Sequence, residues 1–299
     1  MYYYTDFNTF REILLHGTLR FKENTSSNDL LDTEQLYKNL LDMAQQKCEE
    51  VSTSPEQKFF FDMLRHNGAG SHRISLVACF TSKADSRLLW DAYTMNRKGR
   101  IAERYNGVCI KFNRYQLCKA MRRSPIPFDI TECNEVVYGF DKINPRIEEI
   151  LNIFSSEVQK LSKEKDQSQS IVPPIPIPFS HTSKVIVLKK CIVVPLLHLL
   201  DNIDAAAPFI KHSFWREECE TRALLSIKKR NSLADRIPTL NDSYRYFDLH
   251  ISPECIEKII LGPEFSEDDV EKLNSLNGVI GFSSLENIQS EGTGVITNR

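Results

Sequence analysis

Runs in which apolar residues recur every three to four positions interleave along this chain with shorter runs of period two, the pattern of helices alternating with strands. Residues 2–5 read as a short aromatic strand. Asp6 caps a helix over 7–16 whose Phe7, Phe10, Ile13 and Leu14 share one face, and Gly17 supplies the residue that ends it. Thr18 to Phe21 is a second strand, and a polar loop follows over 24–29. Helices are predicted over 33–50 and 55–66, the second opened by Pro55 in its first turn, before a Gly68-Ala69-Gly70 hinge. Strands over 74–80, 108–112 and 130–138 then alternate with helices over 85–94, 114–122 (capped by Asn113) and 144–162. The polar run 162–170 and the four prolines within 171–178 predict a flexible surface loop near 162–182 with polyproline tendency. A helical region over 183–212, strands over 244–251 and 256–261, a helix over 267–275 capped by Ser266 and a frayed tail over 286–299 complete the pattern. This order predicts a mixed α+β fold with a central, mostly antiparallel or mixed sheet and flanking helices. It reads as one domain over 1–285 with a helical insertion near 33–66.

The segment Trp215 to Leu225 has the most unusual pattern. With period two it is a strand whose one face carries Cys219, Thr221, Ala223 and Leu225, and whose other carries Glu218, Glu220 and Arg222. Same-face neighbours on a strand lie about 6.5–7 Å apart. Two carboxylates and a guanidinium in a row suit a polar site. They equally suit an exposed strand with weakly paired charges.

Composition narrows the function less than the pattern does. A net charge of −2 over 299 residues argues against a broad nucleic-acid-binding surface. The eight cysteines include no C-x-x-C pair and fall in apolar or strand-like runs, as free thiols of a reducing cytoplasm would. Met1 to Asp6 has neither the basic nor the apolar region of a signal peptide, and no apolar run reaches membrane-spanning length, so cytoplasmic location without membrane attachment is expected. The chain has no P-loop, nucleophile-elbow or H-E-x-x-H motif, and its seven histidines show no ligand spacing, so no metal is expected.

Four short clusters remain. Tyr3-Tyr4-Thr5 offers flat rings with hydroxyls for stacking on a base or nicotinamide, or for ordinary packing. Asn28-Asp29 precedes a helix, where polar side chains cap or bind. Trp90 and Tyr93, three apart, share a helix face that packs in a core or walls a pocket. Gly107 to Phe112 reads as a buried strand.

In this order, Tyr2-Tyr3-Tyr4-Thr5, Gly17 to Phe21, Asn28-Asp29, Cys79-Phe80-Thr81, Leu89 to Tyr93, Gly107 to Phe112, Trp215 with Glu218, Glu220 and Arg222, and Ile259 to Gly262 resemble the bacterial family known as domain of unknown function 2971. Leu30-Leu31-Asp32 stand where that family continues with Pro-Phe-Glu, and Arg97 to Arg100 lengthen the segment before Gly107. A weaker resemblance links the aromatic strand, the helix and Gly-x-Leu-Arg to the opening of ADP-ribosyltransferase-type domains. It implies NAD as substrate, with Tyr4 and Thr5 at the opening position and Trp90 or Tyr93 stacking on nicotinamide. Arg20 or Arg222 would bind the pyrophosphate. Glu220 or Glu218 would stabilise positive charge on the ribose. Tyr stands where those domains have His.

Three readings follow. The first is an NAD-using ADP-ribosyltransferase-like enzyme, a toxin or defence effector, modifying a protein or nucleic-acid acceptor that the sequence does not specify. The second is a non-catalytic binding or regulatory module. The third is a nucleotide or nucleic-acid hydrolase using Mg²⁺ on Asp29, Asp32, Glu218 and Glu220. Asn28 and Asp29 complete the candidate nucleotide contacts.

Overall fold

The computed structural model describes residues 1–24, 30–49, 61–62, 73–94, 107–140, 144–163, 190–240 and 244–262. Asn28, Asp29, the expected 55–66 helix (apart from 61–62), the 68–70 hinge, the 164–182 part of the flexible loop, the 267–275 helix and the 286–299 tail lie outside these residues. The fold is mixed α+β. The chain divides into two compact units, one of residues 1–26, 75–136 and 214–299, the other of 27–74 and 137–213.

The first unit holds a nine-stranded, mostly antiparallel sheet. Strands β1 (Tyr2–Asp6) and β2 (Thr18–Glu23) are joined by helix α1 (Phe7–His16). This connection is written in the local sequence. The Asp6 carboxylate accepts the Thr9 amide at 2.9 Å, satisfying a first-turn donor, and Gly17 closes the helix at φ 57° with its amide on the Ile13 carbonyl. Phe10, Ile13 and Leu14 are the buried stripe.

Strand β3 (Arg73–Thr81) organises the sheet. Contacts Ser82–Cys219 and Ser75–Ser226 set it antiparallel to β8 (Glu220–Lys228) along one edge. The other edge is divided: β1 pairs at Thr81, whereas β2 pairs at Leu76 and Val77. The two strands part between those points, α1 bridging them. Strand β4 (Gly107–Phe112) pairs β1, and β11 (Ile256–Leu261) pairs β4. Strand β10 (Tyr244–His250) pairs β2 and the short β9 (Thr239–Leu240), while β5 (Ile130–Glu135) pairs β8. Helices α3 (Arg87–Tyr93) and α4 (Arg114–Arg122) belong to the same unit, α4 capped by Asn113 on the Gln116 amide at 3.0 Å. Gly107 admits no side chain: a Cβ there would stand 2.9 Å from the Thr5 carbonyl oxygen and closer still to the Thr94 side chain.

The second unit contains α2 (Leu30–Glu49), α5 (Pro145–Lys163) and α6 (Lys190–Ala206). Their apolar stripes meet in one core that includes Leu36, Leu40, Phe154, Leu199 and Ile203. A two-stranded parallel pair, β6 (Val137–Tyr138) with β7 (Ile210–Lys211), completes it. The Arg73 guanidinium binds Asp201 here at 2.8 and 3.3 Å.

Three sequence expectations are corrected. The single strand over 130–138 is two, β5 and β6, which enter different sheets on either side of Val136. The helical region to 212 ends at Ala206, passes through a 3-10 turn over Ala207–Phe209 and becomes β7. The strand drawn from Trp215 begins only at Glu220, because Ser213–Glu218 is a 3-10 helix. Among the described residues no helix is long and apolar enough to cross a membrane.

Candidate functional site

The Glu-x-Glu-x-Arg segment is shaped by contacts from the far end of β3. The Thr81 hydroxyl donates to the Glu218 carbonyl at 2.7 Å, the Ser82 amide to the Cys219 carbonyl at 3.2 Å, and the Lys83 ammonium to the Glu217 carbonyl at 2.6 Å. Held there, Cys219 takes the left-handed conformation at φ 45°, which side-chain-bearing residues other than Asn and Asp rarely adopt. It turns the 3-10 helix into β8. The expected row of three charges is therefore broken, with Glu218 ahead of the strand and only Glu220 and Arg222 sharing a strand face.

That face is not a solvent patch. Glu220 is 6% exposed and Arg222 2%, on a strand buried from Glu220 to Ile227 and paired on both edges, by β3 and β5. The guanidinium grips the carboxylate with Nε at 2.7 Å and Nη2 at 3.1 Å, and Nη1 donates to the Asn24 side-chain oxygen at 3.3 Å. Both Glu220 oxygens are thus engaged by Arg222. A fork-to-fork pair of this kind is strong in place, and its charges balance inside the sheet.

Glu218 and Tyr93 remain accessible. Tyr93 ends α3 about half exposed, and its hydroxyl donates to Glu218 Oε1 at 3.1 Å. Burial, followed by the nearby negative charge of Glu218, pushes the Tyr93 phenol well above its ordinary range, so it stays protonated and keeps donating. Exposed Cys79 lies in the same neighbourhood.

Tyr4 and Trp90 are internal. Trp90 is 3% exposed, with its ring edge-on to Tyr4 at 4.8 Å and its indole N–H on Asp85 at 2.8 Å. The Tyr4 hydroxyl donates to the Lys83 carbonyl and accepts the Ser86 amide, each at 3.1 Å. Burial above all pushes that phenol far up. Trp90 and Tyr93 thus part company, one in the core and one at the surface. Thr5 is buried beside Gly107.

Arg20 belongs to a different place, a cleft of about 750 Å³ where β1 and β2 diverge beside α1. Alternation puts Leu19 and Phe21 inward and Arg20 and Lys22 outward on β2, and in register Asp248 faces Arg20 and Tyr246 faces Lys22. The Arg20 guanidinium makes two 2.7 Å bonds to Asp248 and lies 4.4 Å over the Tyr246 ring. The Asp248 carboxylate holds its pKa above the usual value. Tyr3, Lys22, Tyr244, His16 and His250 also line the cleft. Of these, sequence reasoning did not select Lys22, Tyr244, Asp248 or His250. The signal for the last three was the even-numbered alternation of polar and aromatic residues in 244–250. Asn28 and Asp29 are outside the described residues, so the structure does not relate them to either place.

An α+β protein with a polar cleft at a parting of sheet strands is the class this geometry defines. Residues 89–223 match the family described as "Protein of unknown function (DUF2971)", so this stretch carries a DUF2971 domain. It is narrower than the span of ordered clusters from 2 to 262, but it includes Trp90, Tyr93, Glu218, Glu220 and Arg222. No curated protein and no solved structure matches the chain, and nothing supports a likeness to ADP-ribosyltransferase-type domains.

Proposed function

We propose that the chain is a small-molecule-binding module whose ligand, of the nucleotide class, occupies the cleft between α1 and the β2–β10 pair. One observation carries this reading: Arg20, held by Asp248 and Tyr246, stands one strand step from Lys22 in a cleft that also presents Tyr3 and Tyr244. Asp248 takes only the Nε and Nη2 donors of Arg20, which leaves the Nη1 edge directed to an acceptor such as phosphate. Tyrosine rings supply flat surface for a base. The volume of about 750 Å³ is within the ordinary range of small-molecule sites. NAD belongs to this ligand class.

Calorimetry with NAD, AMP and ATP tests the reading. Saturable binding is expected for at least one of them. Replacing Arg20 and Lys22 together with Ala is expected to weaken it about 10- to 100-fold, the loss of one or two charge-assisted contacts. Affinity unchanged in the double variant, or no saturable binding by any of the three, would sink the proposal.

A transferase reading keeps one observation in its favour, the accessible Glu218 carboxylate beside a protonated Tyr93 hydroxyl. Such a carboxylate could face positive charge developing on a ribose. It requires nicotinamide release from NAD by the wild-type chain, lost in Glu218→Gln at unchanged thermal stability.

A further inference from the structure

The nucleotide reading uses the Arg20 and Lys22 part of the cleft and leaves its other end unexplained. That end is built by the local order of the chain. Strands β1 and β2 both pair antiparallel to β3, so they run the same way, and α1 carries the chain back between them. Its last residue, His16, therefore stands beside Thr18, the first residue of β2, with only Gly17 between them. The Gly17 carbonyl accepts the Ile251 amide at 2.8 Å, and Thr18 is in register with His250. His16, Thr18 and His250 all line the cleft, as does Glu12, one turn back on α1. Both histidines are exposed. Glu12 Oε2 lies 3.2 Å from His16 Nε2, which leaves Nδ1 as the ring atom for a ligand.

Polar donors thus recur at three successive levels of the β2–β10 pair. Lys22 stands opposite Tyr246, Arg20 opposite Asp248, and Thr18 opposite His250, with His16 next to it. At about 6.5–7 Å per level the row is about 13–14 Å long, more than one phosphate can span. The acids of the lining are already engaged. Asp248 takes two 2.7 Å bonds from Arg20, and Glu12 meets His16 and Arg11. Tyr3 and Tyr244 are the other titratable groups that line the cleft. With both imidazoles neutral, Arg20 and Lys22 are matched in charge by Glu12 and Asp248. With both protonated, the lining carries an excess of positive charge.

We propose that the His16, Thr18 and His250 end of the cleft is a second phosphate subsite, so that the cleft takes a nucleoside bisphosphate whose two phosphates flank the sugar. One phosphate lies on Arg20 and Lys22, and the other accepts from the Thr18 hydroxyl and the two imidazoles. The inference rests on the nucleotide reading of the same cleft and adds to it the number and placement of the phosphates. Protonation of either histidine adds a charge-assisted donor, so the hold on the second phosphate strengthens as pH falls.

The test is calorimetry of the full chain with adenosine 3′,5′-bisphosphate and with AMP. The bisphosphate is expected to bind about 10-fold or more tightly than AMP, the gain of one charge-assisted subsite. That advantage should be larger at about pH 6.5 than at about pH 8, across the range in which imidazole changes charge. In the double variant His16→Ala with His250→Ala the advantage should fall to about one at either pH, whereas Arg20→Ala with Lys22→Ala should weaken both ligands. The replaced histidines are exposed, so the double variant is expected to keep the fold, which its circular dichroism checks. Equal affinity for the two ligands in the wild type, or an advantage that survives loss of both histidines, would overturn the second subsite and leave the nucleotide reading standing. No saturable binding of either ligand would overturn both.

Discussion

Replacing Arg222 with Leu is expected to destabilise the sheet unit by about 3–5 kcal/mol. Arg222 is 2% exposed and supplies both bonds to a Glu220 carboxylate that is itself 6% exposed. Leucine removes the guanidinium that grips this buried carboxylate through two donors, and the Asn24 oxygen loses the same group. Glu220→Gln is the mirror change, removing the negative charge that the buried guanidinium grips. The pair Glu220→Leu with Arg222→Met removes both charges and keeps volume, so most of the stability should return, as buried ion pairs are often replaceable by apolar residues. Urea unfolding followed by circular dichroism separates these outcomes. A loss below about 1 kcal/mol for Arg222→Leu is what an exposed pair would give, and it would show that water reaches the site. The experiment also bears on function. A defect in Glu220→Gln reports a collapsed strand as readily as a lost acid, so Glu218 is the cleaner residue on which to test chemistry.

The second large effect is expected at Trp90. Its truncation to Ala should cost about 3–5 kcal/mol, because the ring is buried against Tyr4, Leu89, Cys109 and Ile260. The loss extends past packing. Asp85 loses the indole N–H that it accepts at 2.8 Å, and the loop over Lys83 to Ser86, which hangs from the Tyr4 hydroxyl, loses the ring that positions it. Trp90→Phe keeps most of the contact area and removes the donor, so about 1 kcal/mol is expected. Tyr93→Phe, three residues on, is half exposed and gives up a single surface hydrogen bond, so its stability should change little. Thermal unfolding of the three variants reads the series. If Trp90→Ala instead kept wild-type stability and lost nucleotide affinity, the ring would be a pocket wall and its packing role would be wrong.

These two sets of residues separate what holds the unit from what faces solvent. Tyr4, Trp90, Glu220 and Arg222 spend their polar atoms on the protein itself. Arg20, Lys22, Tyr3 and Tyr244 line a cleft, and Tyr93 with Glu218 offers a second accessible pair. Residues that looked equivalent as candidates in one dimension thus fall into three places.

The reason lies in how far each feature reaches along the chain. The α1 helix was legible to the residue, because Asp6 caps Thr9 and Gly17 meets Ile13, all within four positions. The Asn113 cap of α4 was legible for the same reason. The start of β8 was not. Glu218, Glu220 and Arg222 fit period two, and the left-handed turn at Cys219 that breaks it is imposed by Thr81, Ser82 and Lys83, more than 130 positions away. The split of 130–138 into β5 and β6 was hidden similarly, since the two strands differ by partner and not by composition. The cleft lay between: the alternation of β10 can be read from 244–250, but Arg20 and Asp248 are 228 positions apart.

By itself the sequence determined the class of fold and the helices α1 and α4 with their caps, because hydrogen-bond caps and amphipathic stripes are settled among near neighbours. Only the tertiary structure decided that Glu220 and Arg222 are sealed, that Trp90 turns inward while Tyr93 does not, and that β1 and β2 part to leave a cleft. Burial is a property of what packs on every side of a residue. For β8 even the paired edges belong to β3 and β5, which come from distant parts of the chain.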